Sequence, residues 1–383
     1  MPRSPRTAPG VLKIPGAVYS PFADRIATHP GPIFPLHVGD TWMEPFEGGR
    51  MQDLSVDDYP GMHRYCDTRG IPELVDALVE KVRERNGLAV ERESLLVAGG
   101  ATGGLATVVG ALVDPGEEVL ILAPFWPLIR GIVQSFRGVP VEVPFYDRVD
   151  SPEAAVEAVR DRLSERTVAL YICTPSNPTG VVIPEEWLAA LADFARENDL
   201  WLLSDEVYED YVYRGRHVSL GPMAPERTVS VYSFSKAYGM AGNRVGYLAG
   251  PKDVIAEARK LGTHSFYHAP TSGQVAAVRA LQGGADWVES ARALYREAGE
   301  HAASALKIPP PGGSTFLFLD VNHLLDDRGL HGFLEDCFED GVLVAPGGSS
   351  GEAYSEWVRL CYTAAPPEQV REAVERLAVR VTA

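Results

Sequence analysis

One lysine is distinguished by the residues that surround it. The stretch "SFSKAYGMAGNRVGY" (233–247) places Lys236 between Ser233 and Ser235, at the end of an apolar run, with Arg244 shortly after it. A primary amine can bond to a carbonyl carbon and can also move a proton. Hydroxyl and guanidinium groups bind anions. The stretch therefore indicates either a solvated loop lysine, which is the commoner case, or a lysine held for covalent chemistry beside an anion site.

Residues whose side chains could take part in binding or catalysis also follow other predicted strands. Ligands of open parallel sheets bind at the carboxyl ends of the strands, so residues that follow several strands can share one crevice. Taken singly, each has an ordinary explanation, such as a tight turn, a core tryptophan, a turn asparagine or a helix cap. Together they predict a single site. In chain order they are "GGATGG" (99–104), Trp126, Asn177, Asp205 with Tyr208, and Lys236.

The strands that must position these residues are near-continuous runs of Val, Leu and Ile. Such runs are typical of strands buried on both faces. Because they alternate with helical patterns, they predict an α/β fold with a mostly parallel sheet flanked by helices. After residue 251 the pattern predicts two long helical stretches and then a smaller α/β domain. We expect an N-terminal arm at 1–45 that partly joins the small domain, a large ligand-binding domain at 46–285 and the small domain at 286–383.

Composition narrows the range of partners. The 383 residues include 35 Lys and Arg against 52 Asp and Glu, and the net charge of −17 argues against nucleic acid or an anionic membrane as the main partner. No apolar stretch approaches the roughly 18 residues of a membrane span. The N-terminal segment reaches prolines before any apolar signal region. The four cysteines are scattered and read as reduced thiols. We predict a cytoplasmic protein.

Eight segments together resemble one enzyme family. Their order and spacing are similar to those of class I/II aminotransferases, the aspartate aminotransferase family of fold-type I pyridoxal-phosphate enzymes. The resemblance extends from about residue 30 to the C-terminus. The segments are "RYCDTRGIPEL", "GGATGGL", "APFWP", "SNPTG", "SDEVYEDYVY", "SFSKAYGMAGNRVGY", "GVLVAPG" and "VRLCY".

This resemblance implies catalytic roles around a pyridoxal 5'-phosphate cofactor. Lys236 would carry the cofactor aldehyde as a Schiff base and, once displaced by the substrate amine, would move the α-proton. Asp205 would keep the pyridine nitrogen protonated, so that the ring acts as an electron sink. Asn177 and Tyr208 would hydrogen-bond the phenolate oxygen of the ring, and Trp126 would stack on its face.

The resemblance also implies how the phosphate is bound. Donors would come from the start of a helix, where backbone amides attract anions, and from nearby hydroxyl and guanidinium groups. Tyr65 corresponds to a tyrosine that reaches the phosphate of a neighbouring subunit, which implies a homodimer with shared sites; the alternative is a packing tyrosine. The implied phosphate ligands within one chain are Gly100, Ala101, Thr102, Ser233, Ser235 and Arg244.

The implied substrates are an α-amino acid and a 2-oxo acid. Arg359 corresponds to the residue that binds the substrate α-carboxylate, a task suited to a guanidinium. Gly39 matches a glycine that lets the arm close over substrate, and Asn177 would contribute beside it. No second arginine can be assigned to a distal carboxylate, so the sequence does not support a dicarboxylate; an aromatic or other neutral amino acid is favoured. Trp42 and Met43 either line the side-chain pocket or pack on the small domain.

Other interpretations remain open at this stage. A lyase, decarboxylase or oxidase would use the same cofactor residues, and an aminotransferase-like ligand sensor would use them without catalysis. His264 and His268 have the spacing of zinc ligands on a helix, but the glutamate of HExxH and a third ligand are missing. We predict no metal site. Asn243, just before Arg244, has no interpretation.

Overall fold

The computed structural model describes residues 4–8, 10–16 and 20–381. A seven-stranded sheet forms its centre, in the order β1-β7-β6-β5-β4-β2-β3. All adjacent pairs are parallel except those that involve β7, which runs antiparallel to both β1 and β6. The prediction of a mostly parallel sheet is therefore confirmed. The strands are β1 (Leu95–Ala98), β2 (Glu118–Ala123), β3 (Val139–Pro144), β4 (Thr167–Cys173), β5 (Trp201–Asp205), β6 (Thr228–Ser233) and β7 (Gly246–Ala249).

Helices cover both faces of this sheet. Alternate strand residues enter different cores: Ile121 packs on one face, whereas Leu120 and Leu122 pack on the other. This two-sided burial explains why the strands read as continuous apolar runs. The helices are α1 (Pro72–Asn86), α2 (Gly100–Leu112), α3 (Leu128–Ser135), α4 (Pro152–Arg160), α5 (Glu185–Glu197), α6 (Phe234–Ala237), α7 (Lys252–Ser265) and α8 (Thr271–Gly283).

A second, three-stranded antiparallel sheet lies in the C-terminal region, in the order β8-β10-β9. Its core also contains arm residues, because Phe22, Phe34 and Leu36 are buried in it. Phe34 forms a parallel bridge to Val342. These residues therefore pack with the C-terminal region, and the division into an arm, a large domain and a small domain stays a prediction. The elements are α9 (Ala285–Ala305), β8 (Phe316–Asp320), α10 (Gly329–Glu339), β9 (Ala345–Pro346), β10 (Trp357–Cys361) and α11 (Pro367–Val381).

The helical region after residue 251 differs from the prediction of two long stretches. It contains three helices, because the chain breaks after Ser265 and again near Gly284. At the first break Tyr267 has a left-handed φ of 68°, and Pro270 cannot donate a helical hydrogen bond. His264 therefore lies in α7 and His268 beyond its end, so the two do not share one helix. Within the described residues, no helix combines the length and the apolar character needed to cross a membrane.

Candidate active site

A cavity of about 290 Å³ lies at the carboxyl edge of the large sheet. It brings together nearly all the residues that the sequence singled out. Gly100, which begins α2 directly before Ala101, and Tyr65 are not among the residues that line it. The cavity also includes Val38, Cys173, Val207 and Ala241, which sequence reasoning missed. The predicted residues that line it are Gly39, Ala101, Thr102, Trp126, Asn177, Asp205, Tyr208, Ser233, Ser235, Lys236, Arg244 and Arg359.

Lys236 is held by the turn from β6 into the short helix α6. Ser233 is extended and caps this helix, since its Oγ accepts the Ser235 N–H at 3.0 Å. Lys236 Nζ donates to the carbonyl oxygen of Gly39. Burial lowers the pKa of Lys236, and the negative charge of Asp40 partly opposes this effect. The neutral amine, which is the nucleophilic and basic form, is therefore easier to reach than in an exposed lysine.

Asp205 ends strand β5 and is only 3% exposed. Its Oδ2 accepts a hydrogen bond from the Tyr171 hydroxyl at 2.6 Å, and its Oδ1 accepts the Val207 N–H at 3.4 Å. Burial raises the pKa of Asp205 to about 6, and the Tyr171 hydrogen bond acts in the opposite direction. A cationic partner in the cavity would favour the ionised carboxylate.

The start of α2 and Arg244 form one end of the cavity. Gly100 has a φ of 74°, and a Cβ at this position would collide with the Arg244 guanidinium. Arg244 itself has a left-handed φ of 54°; its Nη1 donates to Ala241 O at 2.8 Å and its Nη2 to Gly99 O at 3.3 Å. A Cβ on Gly246 would lie 2.6 Å from the Ala101 nitrogen. Because Gly100 and Gly246 have no side chains, the first backbone amides of α2 can approach the Arg244 guanidinium closely.

Arg359 reaches the cavity from β10 and is 4% exposed. Its guanidinium lies 4.5 Å from the centre of the Phe316 ring. Nη1 donates to Asn177 Oδ1 and Nη2 to His37 O, both at 3.1 Å. Burial, together with the charge of Arg359, lowers the pKa of His37 to about 4. These contacts fix the orientation of the guanidinium before any ligand binds.

Two aromatic residues complete the wall. Tyr208 is buried with its ring 5.9 Å from that of Phe316, and burial keeps its pKa well above 10, so it is a protonated phenol. Trp126 is half-buried and follows β2. Trp42 and Met43 do not line the cavity; they pack against a cluster that includes Tyr295. Trp42 and Met43 could have lined the side-chain pocket or packed on the small domain, and packing is what the structure shows.

Tyr65 does not reach the cavity of its own chain. It is 84% exposed, and its ring lies 5.0 Å from Tyr267 and 5.8 Å from His268 in edge contacts. His268 accepts the Cys66 N–H on Nε2 at 3.4 Å, and neither His264 nor His268 lines the active-site cavity.

One cluster of metal-type ligands was not predicted. Glu206, Glu209 and His217 place their ligand atoms within 4.8 Å of one another. Lys81 forms an ion pair with Glu209, which supplies a positive charge there. Glu206 already accepts hydrogen bonds from Ser204, Ser219, Ser230 and His217. The Glu206 oxygens are thus satisfied by protein groups, whereas His217 Nδ1 is buried without a hydrogen-bond partner. The absence of a metal site stays a prediction.

Comparison with known proteins decides the family. Residues 45–377 match the family "Aminotransferase class I and II". The chain belongs to this family. It is 38% identical over 329 residues to the aspartate/prephenate aminotransferase of Thermus thermophilus, covering 83% of each chain. It is 31% identical over 335 residues to the aspartate aminotransferase of Bacillus subtilis, again covering 83% of each.

Solved aminotransferase structures have the same fold. The aspartate aminotransferase of Thermus thermophilus with maleate superposes with a TM-score of 0.88 at 32% identity, covering 98% of this chain and 100% of that one. The predicted family, fold class and enzyme class are therefore confirmed: the protein is a pyridoxal-phosphate-dependent aminotransferase. The roles of individual residues in this aminotransferase stay predictions.

Proposed function

We propose that pyridoxal phosphate binds in the 290 Å³ cavity, with Lys236 as its covalent attachment and Asp205 facing its ring nitrogen. The supporting observation is that a buried amine and a buried carboxylate line this one cavity. When bound, the cofactor supplies an aldehyde for the amine and a ring that withdraws electrons from the substrate. Lys236 would take the proton from the substrate α-carbon, a task that its lowered pKa supports.

The donor set fits the rest of the cofactor. The amides that begin α2 and the guanidinium of Arg244 converge at one end of the cavity, which suits a doubly charged phosphate. Thr102, Ser233 and Ser235 add hydroxyl groups there. Asn177 and Tyr208 would hydrogen-bond the ring oxygen. Asn177 would donate from its amide NH₂, since its Oδ1 already accepts from Arg359. Trp126 would stack on the ring face.

Arg359 would bind the substrate α-carboxylate, with the Gly39 backbone closing over it. Both Thermus and Bacillus relatives are named for aspartate. Among the described residues that line the cavity, the cations are Lys236, Arg244 and Arg359. The first two serve the cofactor, so only Arg359 is left for a carboxylate. We therefore propose an amino donor with an uncharged side chain; aspartate would require a further cation from a second copy of the chain.

We also propose a cytoplasmic homodimer with shared active sites. The exposed Tyr65 ring and the neighbouring Tyr267 present an aromatic surface that a second copy would cover. Tyr65 would then reach the phosphate in the partner's cavity. A reducing compartment is supported by the four cysteines, which are all free.

The function is tested by following both products of amino transfer. Purified protein is supplied with a panel of amino acids, aromatic, aliphatic and dicarboxylic, against pyruvate, 2-oxoglutarate and oxaloacetate. We expect the acceptor to be converted to its amino acid in equal amount to the donor's 2-oxo acid. Lys236→Ala should lower turnover by more than about 10³-fold, whereas Lys252→Ala, at an exposed lysine, should not. Ammonia or carbon dioxide released without amino transfer would contradict the proposal, and a preference for aspartate would contradict the proposed donor class.

A further inference from the structure

Tyr171 lies beneath the proposed ring-facing acid. It is fully buried in β4, two residues before the strand ends, and pairs in register with Leu203 of β5. Asp205 pairs with Cys173, so the Tyr171 side chain extends along the sheet to reach the carboxylate at the end of the adjacent strand. The hydroxyl lies 2.6 Å from Asp205 Oδ2, a distance typical of a short, charge-assisted hydrogen bond.

The direction of this hydrogen bond follows from the chemistry of the two groups. Burial and the nearby Asp205 charge raise the pKa of Tyr171 well above 10, so the phenol keeps its proton and donates it. A donor favours the ionised form of a carboxyl group. The same contact also restricts rotation of the carboxylate, because Oδ2 is bound to Tyr171 while Oδ1 accepts the Val207 N–H.

We propose that Tyr171 is a positioning residue for Asp205: its hydroxyl holds the carboxylate ionised and oriented toward the cavity. Tyr171 would thereby set the lowest pH at which Asp205 can bind a protonated ring nitrogen. The inference rests on the proposed binding of pyridoxal phosphate and adds a residue that does not itself contact the cofactor. Tyr171, together with the Val207 N–H, offsets the cost of burying the acid.

Other ionisable groups around Asp205 could perform the same task, and the contacts separate them from Tyr171. Glu206 adds negative charge, which raises the pKa of Asp205, and the Cys173 thiol donates elsewhere, to the Pro175 carbonyl oxygen at 3.5 Å. Tyr146 is the closest chemical match, but its hydroxyl donates to Cys173 O at 2.7 Å and accepts the Cys173 N–H at 3.2 Å. It therefore serves as a matched control. The groups that face Asp205 or share its cavity are Tyr146, Tyr171, Cys173, Glu206, Tyr208, Lys236, Arg244 and Arg359.

The test measures binding of pyridoxal phosphate to the apoenzyme from pH 5 to 8.5 by equilibrium dialysis. In Tyr171→Phe we expect the acid-side midpoint of binding to move up by about one pH unit, which is the order expected for losing one hydrogen bond to a charged group. Tyr146→Phe removes the same hydroxyl chemistry from a neighbouring tyrosine and should leave the midpoint within a few tenths of a unit. Because phosphate ionisation of the cofactor is common to all variants, only the difference between them is interpreted.

A second comparison separates positioning from general damage to the fold. In an Asp205→Asn background, where no carboxylate can ionise, Tyr171→Phe should produce no further shift of the midpoint. Replacing Tyr171 with fluorotyrosine keeps the ring, strengthens the donor and should move the midpoint down. An unchanged midpoint in Tyr171→Phe, or an equal shift in the Asp205→Asn background, would overturn the inference. If the wild type itself fails to bind the cofactor, the proposed function fails instead.

Discussion

The Phe316 ring supports the Arg359 guanidinium through direct contact. Its centre lies 4.5 Å from the guanidinium carbon, and its edge would lie 2.9 Å from a Cβ at Gly39. The ring thus supports Arg359, which we propose binds the substrate carboxylate, and limits the approach of the arm at the same point. Cation–π contacts contribute about 0.5–1 kcal/mol at exposed sites and about 2 kcal/mol or more when desolvated.

Phe316→Leu should weaken substrate binding and leave cofactor binding nearly unchanged. We expect the KM for the amino acid to rise about 3- to 30-fold, the range that follows from losing roughly 0.7–2 kcal/mol. Steady-state kinetics and cofactor dialysis measure the two effects separately. Phe318→Leu is the control, since the Phe318 ring stacks on Trp357 at 5.0 Å, whereas the Phe316 ring lies against Arg359. Equal losses in both variants would mean that the effect comes from core packing.

Residues with reactive or charged side chains could be predicted as site residues from the sequence. The residues that hydrogen-bond to them from beneath the cavity could not. Lys236, Asp205 and Arg359 could be singled out because each follows a strand or fits a recognisable motif. Tyr171 looked like one more apolar strand residue, although it lies two positions before Cys173 and thus on the same face as that cavity residue. The two-residue period of β4 was the available signal. The distance to Asp205 depends on strand pairing, which a single sequence does not give.

The end of the cavity where we propose that the phosphate binds depends on how α2 is placed against β7. Gly246 opens β7, and a Cβ there would lie within 2.7 Å of three backbone atoms, including Ala101 N and Tyr232 O. The sequence predicted each strand in this region but gave no reason for β7 to run antiparallel between β1 and β6. Orientation within a sheet is set by long-range packing, whereas strand identity is set by local apolar runs.

The arm and β10 are joined at His37, whose backbone oxygen accepts from Arg359. The imidazole is buried beside this cation, which lowers its pKa from 6.5 to about 4 in the folded state. The unfolded chain therefore binds a proton at a pH where the folded chain does not. Protonation of the unfolded chain therefore lowers the free energy of unfolding as pH falls from about 6.5 to about 4. Above about pH 6.5 this loss is absent.

His37→Gln should make the apoenzyme less sensitive to acid. We expect the wild type to lose on the order of 1–3 kcal/mol more of its free energy of unfolding than the variant between pH 7 and pH 4. Urea denaturation at a series of pH values measures the difference. Asp205 titrates in an overlapping range with the opposite sign, since its folded pKa is raised, so only the difference between the two curves is used. The exposed His323→Gln should match the wild type, and parallel curves for wild type and His37→Gln would rule out the effect.

At the scale of the whole molecule, the cavity contains almost every predicted residue from one chain, with Tyr65 as the main exception. Its ring is 84% exposed and stacks edgewise on Tyr267, which is itself 46% exposed. Tyrosine is enriched at protein interfaces, where burial of its ring contributes strongly to binding. In the homodimer that we propose, a second copy of the chain would cover both rings, and Tyr65 would reach the opposite cavity.

Mixed dimers test this arrangement directly. Tyr65→Phe should weaken cofactor binding about tenfold or more, the order expected for one hydrogen bond to a charged phosphate, while Tyr267→Phe should not. Lys236→Ala chains would lack the covalent attachment that we propose. If the sites are shared, a dimer that combines one Tyr65→Phe chain with one Lys236→Ala chain has both defects in one site and none in the other. Isolated through two affinity tags, it should recover one site of native affinity per dimer, whereas either parent has none. If each site were confined to a single chain, mixing could not restore native affinity. A monomer in sedimentation would contradict the proposed homodimer.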